Sequence, residues 1–224
     1  VHDYITQYEG AWDLLIQCLS HVPEMGITCD INTVINVYNC DHLHETVQWI
    51  CQTFPFIRHF VWNNLDPSMG RAEVNQESFV PRLADFELSL HRALRLLERS
   101  GRSFRVEKVP LCYMTEFAWA STETRKIVKL EERVVHFLDD KQTVRQTEWE
   151  HLYAPGCAAC SLRPICGGLF DRGEAYDPAE LAPVFVDMEG VVRRILEDPS
   201  DPSRRWSSLA AWRRDFAAAR AGDD

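Results

Sequence analysis

The chain has 224 residues, 46% of them apolar, with 24 basic against 34 acidic side chains and a formal charge of −10. That balance excludes the broad electropositive surface of a nucleic-acid binder. The start, Val1-His2-Asp3-Tyr4, carries no basic stretch followed by an apolar run, and no stretch reaches the roughly 18 apolar residues of a membrane span, so neither export nor membrane insertion is expected. A reducing, cytoplasmic setting follows, in which the eight cysteines serve as buried hydrophobes, metal ligands or catalytic thiols rather than as bridges.

Residues 10–26 place Ala11, Leu15, Cys18 and Val22 at helical spacing, flanked by Trp12 and Leu19, and predict a helix that buries one face and stops at Gly26. Residues 27–36 are rich in β-branched side chains and read as a strand carrying Asp30, Asn32 and Asn36. Leu43, Val47, Ile50 and Phe54 then mark a helix with a cap at Asp41, and 56–64 a second strand. Leu83, Phe86, Leu90, Leu94 and Leu97 mark a third helix ending near Gly101, with a strand at 104–109. Three helix-then-strand units in succession predict an α/β fold with parallel strands, barrel-like or doubly wound. A complete barrel of eight units needs about 200 residues or more, and only three units fit before Pro110, so a barrel here is partial.

Beyond Pro110 the rhythm changes. Residues 134–138 and 143–146, around a polar turn, predict a hairpin. The run Cys157-Ala-Ala-Cys160-Ser-Leu-Arg-Pro-Ile-Cys166-Gly-Gly sets three thiols within ten residues, with small residues between the first two and two glycines after the third. Such spacing lets the thiolates turn onto one metal ion or cluster and lets backbone amides approach the sulfurs. Three cysteines are one short of four, and Cys112, just after a strand and a proline, is the candidate for the fourth. A closed zinc site is the alternative, completed by Cys112 or by His151. Cys18, Cys29, Cys40 and Cys51 recur every eleven residues but fall on different elements, and are expected to fill the core. Helices are predicted at 179–196 and 206–220, separated by the linker 198–203.

Taken in order, His2-Asp3-Tyr4-Ile5-Thr6 with Gly10-Ala11-Trp12, Ile31-Asn32-Thr33-Val34-Ile35-Asn36, Asn64-Leu65-Asp66-Pro67 with Gly70-Arg71-Ala72, and the Cys-x2-Cys-x5-Cys-Gly-Gly run resemble radical S-adenosylmethionine (SAM) enzymes with a C-terminal SPASM or twitch extension. The resemblance covers roughly residues 1–175. It implies a partial parallel β/α barrel over 1–109, formed by the later strands of the family's barrel, then an auxiliary cluster domain over 110–177 and a helical tail over 178–224. The family's Cys-x3-Cys-x2-Cys loop, whose cluster binds and cleaves SAM, is absent, as is its Gly-Gly-Glu stretch. The chain is therefore expected to begin after the fourth barrel strand and, taken as a complete polypeptide, not to generate the radical.

What the resemblance carries over is the rest of the pocket. Residues at the carboxyl ends of barrel strands face the active site, which nominates Asn32, Asn36 and either Asn63 or Asn64 for a SAM ribose or carboxylate, and Arg71 for a SAM or substrate carboxylate. The resemblance further implies an auxiliary 4Fe–4S cluster on Cys112, Cys157, Cys160 and Cys166. In the full-length enzyme it would work beside SAM and a second 4Fe–4S cluster. The auxiliary cluster would transfer electrons, with a flavodoxin or ferredoxin as donor, or bind substrate at an open iron. The substrate would be a peptide or a small molecule. Two non-enzymatic readings stand beside this one: a zinc-stabilised domain, and a module that recruits a peptide by strand addition.

Overall fold

The computed structural model describes residues 1–67, 72–131, 133–136, 143–146, 151–170, 175–200 and 205–221, with the backbone course alone at 133–136, 143–146 and 151. The chain is mixed α/β and falls into two compact units, Val1–Arg105 and Val106–Asp224. Among the described residues no helix is long and apolar enough to cross a membrane.

The first unit opens with helices α1 (His2–Thr6) and α2 (Ala11–Met25). Strand β1 (Ile31–Ile35), helix α3 (Leu43–Thr53), strand β2 (His59–Asn64), the short helix α4 (Gln76–Phe79), helix α5 (Leu83–Arg99) and strand β3 (Ser103–Glu107) follow. The strands form a three-stranded parallel sheet in the order β1-β2-β3, with Ile31 opposite Phe60 and Val34 opposite Asn63. Helices α3 and α5 pack on each other over one side of the sheet. Leu43, Val47 and Ile50 from α3 and Phe86, Leu90 and Leu94 from α5 are buried there with Phe60, Trp62 and Phe104 of the strands. Alternation sends Asn32, Val34, Val61 and Asn63 to the opposite face, which is open: Val34 is 44% exposed.

Three expectations for this unit are corrected. Helix α2 has the predicted bounds, and Gly26 closes it in the left-handed region at φ 64°. Its apolar stripe, however, is buried only at Leu19 and Val22, while Leu15 stays exposed and Trp12 lies on the surface against Trp49 of α3, 5.5 Å between ring centroids. The cysteines at eleven-residue spacing are not a set of core fillers either: Cys18 is exposed, Cys29 and Cys51 are half-buried, and only Cys40 is buried. Asp41 does not cap α3, because its carboxylate is engaged with His42 at 2.6 Å. The first-turn N–H of Leu43 instead donates across the core to Ser89 Oγ of α5 at 2.7 Å.

The second unit contains helix α6 (Thr122–Lys129), strands β4 (Arg133–His136) and β5 (Thr143–Gln146), the two-residue strands β6 (His151–Leu152) and β7 (Leu169–Phe170), and helices α7 (Met188–Leu196) and α8 (Leu209–Ala221). The expected hairpin is present as the antiparallel pair β4-β5, and β6 pairs antiparallel with β7. A parallel bridge joins Val106 to Ser121, and Ser121 then caps α6 by accepting from Thr124 N at 3.2 Å. Helix α8 docks through Trp212, 2% exposed, whose Nε1 donates to Val128 O of α6 at 2.7 Å.

The helix expected at 179–196 is half as long. A 3₁₀ turn at Pro178–Glu180 gives way to an extended strap at 181–187, and α7 starts only where Asp187 accepts from Glu189 N. Pro183 explains the difference, since it lacks an N–H and biases the residue before it away from helical angles.

Candidate metal centre

Residues 153–168, which carry three cysteines, form the loop between β6 and β7, so the short antiparallel pair closes it at its base. Inside the loop two 3₁₀ turns, Pro155–Ala159 and Arg163–Ile165, each deliver a cysteine at the point where the chain leaves the turn: Cys160 after the first, Cys166 after the second. Leu162 and Ile165, both at 0% exposure, anchor the loop in the core. Cys112 arrives from a third such turn, Leu111–Tyr113, entered through Pro110.

The four thiols line one cavity, together with Tyr153 and Arg163. The space between them is small, about 20 Å³. Backbone N–H groups aim at three of the sulfurs. Gly168 N donates to Cys166 Sγ at 3.3 Å and Val184 N to Cys160 Sγ at 3.4 Å. Leu111 N also reaches the Cys166 thiol, and Ala182 N the Cys112 thiol.

The strap supplies two of these donors from alternate residues, as an extended chain must. Ser161 fixes its register: its N–H donates to Val184 O at 3.0 Å and its Oγ accepts from Val186 N at 2.9 Å. Tyr113 OH, donating to Glu180 O at 2.6 Å, ties the strap's start to the Cys112 turn.

Burial pushes the Cys112 thiol up to about 11, and burial likewise raises Cys166 against the pull of its two N–H donors. Thiols so placed hold their protons at neutral pH, and a bound metal cation is what would stabilise them as thiolates. Tyr153 frames the far wall: its OH donates to Cys166 O at 2.9 Å and its ring carries the Arg163 guanidinium at 3.4 Å. Gly168 sits at φ 72°, and a Cβ there would lie 2.7 Å from Tyr153 Cζ and 2.9 Å from Leu152 O, so the second glycine of the run is required by both angle and space.

Among the described residues no three His, Cys, Asp or Glu side chains are gathered closely enough to hold a single metal ion. One zinc, about 2.3 Å from each sulfur, would draw the sulfurs to within roughly 4 Å of one another. A cluster asks for less crowding, because each cysteine binds a different iron. Four cysteine thiols on one cavity, three of them with N–H groups aimed at sulfur, are the donor chemistry that an iron–sulfur cluster uses.

The asparagines nominated from the sequence part company. Asn63 Nδ2 donates to Asn32 Oδ1 at 2.7 Å, so these two form an amide pair on the open face of the sheet. Asn36, buried at the end of β1, makes a turn instead: its Oδ1 accepts from Tyr38 N and its Nδ2 donates to Val34 O. Asn64 is 1% exposed on the helix-covered side of the sheet. Arg71 lies outside the described residues, and so does the side chain of His151.

Sequence reasoning did not find Tyr153, Ser161, Arg163 or the strap. Arg163 had a signal, lying between the second and third cysteines of the run, whereas the strap's role rests on backbone N–H groups that no residue type announces. Comparison of the chain with protein-family models, with curated proteins and with solved structures gives no match.

Proposed function

We propose that the second unit is an auxiliary iron–sulfur domain of the SPASM or twitch type, holding a 4Fe–4S cluster through Cys112, Cys157, Cys160 and Cys166. In this reading the chain is the C-terminal part of a radical SAM enzyme acting on a peptide or small molecule. The observation that carries it is the convergence of all four cysteines on one cavity, although Cys112 lies 45 positions before Cys157 in the sequence. When bound, the cluster would supply one-electron transfer, or an open iron for substrate if Cys112 stayed free.

This chain's own residues do the rest. The 3₁₀ turns present the sulfurs, the strap covers Cys112 and Cys160 and donates to both, and Gly168 and Leu111 donate to Cys166. Such N–H donors stabilise negative charge on sulfur and so favour the thiolate that a metal needs. For the first unit, the parallel sheet with helices on one side and the Asn32–Asn63 pair on the open side supports a partial β/α barrel. The parallel bridge from Val106 to Ser121 adds to that reading. In a barrel the side opposite the helices is the lumen, where Asn32 and Asn63 would meet SAM or substrate.

A second reading, a zinc site that only supports folding, is favoured by the small space between the thiols, which leaves less room for a cluster than for one ion once the sulfurs close on it. Anaerobic reconstitution with ferrous iron and sulfide separates the two. The cluster reading expects a brown protein with broad visible absorption that Cys160→Ala abolishes. A colourless protein carrying one equivalent of zinc would sink it.

A further inference from the structure

Arg163 occupies the wall of the thiol cavity. Its guanidinium carbon lies 3.4 Å from the centroid of the Tyr153 ring, and that ring is itself pinned by the bond from Tyr153 OH to Cys166 O. Among the described residues no carboxylate pairs with Arg163. A guanidinium ordinarily seeks a carboxylate or an anion. Here an aromatic face holds the charge in place and leaves it uncancelled beside four sulfurs. Arg220 of α8 adds a second positive charge felt at Tyr153, where burial raises the phenol and both arginines oppose the rise.

From this arrangement we infer that Arg163 is a positioning residue that sets the reduction potential of the metal group held by Cys112, Cys157, Cys160 and Cys166, with Tyr153 as the platform that fixes its charge. The inference rests on the iron–sulfur reading above. Four thiolates outweigh the positive charge of a 4Fe–4S core, so the site is anionic before reduction and more so after it. Reduction adds one electron from an external donor of the ferredoxin or flavodoxin class, with no bond made or broken. A cation held on the wall of the same cavity favours the more negative state and raises the potential. Arg163 therefore makes the site easier to reduce, and the effect follows its charge rather than its shape.

The test uses the full chain reconstituted anaerobically as wild type, Arg163→Lys, Arg163→Gln and Arg163→Glu, with iron and sulfide content, visible absorption and midpoint potential measured on each. The expected result is equal loading with midpoints that follow charge: lysine close to wild type, glutamine more negative, glutamate more negative still. Any two loaded variants of different charge suffice to read the order. A midpoint indifferent to the charge at position 163 would overturn the inference and leave the cluster reading standing. So would loss of iron from all three variants, lysine included, which would mark Arg163 as structural. A wild-type protein that takes up no iron would defeat the cluster reading, and the inference with it.

Discussion

Gly168 shows how much of the candidate site hangs on single positions. At φ 72°, with Tyr153 Cζ 2.7 Å from where a Cβ would stand, Gly168→Ala combines backbone strain with a clash against the side chain that carries Arg163. Such a residue costs on the order of 1–3 kcal/mol. The variant is expected to unfold at lower denaturant and to load less metal than wild type; unchanged values of both would contradict the packing described. His59 gives a prediction with a defined sign. Burial holds its imidazole below the ordinary 6.5, with Asp30 opposing and Arg105 assisting. Below that value the unfolded chain binds the proton more readily than the folded one, so stability is full above about pH 6.5 and falls as the pH drops beneath it. His59→Gln should flatten that fall, as read from denaturant midpoints at about pH 8 and about pH 5. The asparagines mark what residue types alone convey: Asn32, Asn36, Asn63 and Asn64 look alike in sequence, yet alternation along β2 separates Asn63 from Asn64, and the turn after β1 takes Asn36.

At the scale of elements, packing of the C-terminal helices is the feature most open to measurement. Trp212 is 2% exposed, stacks on Phe216 at 4.7 Å and donates to Val128 O. Removing it leaves a large cavity and an unpaired carbonyl, and Trp212→Ala is expected to cost about 3–5 kcal/mol in equilibrium unfolding. Arg125 and Asp198, 2.9 Å apart with side chains 9% and 14% exposed, join α6 to the end of α7. Asp198→Ala takes a carboxylate away from a buried guanidinium and is expected to lower stability in equilibrium unfolding by more than about 1 kcal/mol; a smaller loss would mean the pair behaves as a surface contact. The β/α alternation of the first unit is legible in the sequence because its helices repeat at 3.6 residues and Gly26 and Gly101 punctuate them. Helix α6 is not, since only Val128 of its apolar residues is fully buried and its start depends on the Ser121 cap. The strap at 181–187 is hidden for another reason: Pro183 signals a break, but what the freed segment does is set by Ser161 and by sulfurs on the adjacent loop.

For the whole molecule, the sequence places three of the four cysteines together by spacing alone, and the fold adds Cys112 through a turn that only Pro110 foreshadows. The two units divide the proposed labour: a parallel sheet with an open amide-bearing face in one, a thiol-lined cavity in the other. The most direct test of that cavity's role is metal and sulfide analysis, with visible absorption, on protein purified without air, alongside Cys112→Ala and Cys160→Ala. The expected result is about four iron and four sulfide per chain, with brown colour lost in Cys160→Ala and altered in Cys112→Ala. A colourless protein whose metal content is unaffected by either substitution would contradict the assignment of these cysteines to a metal centre.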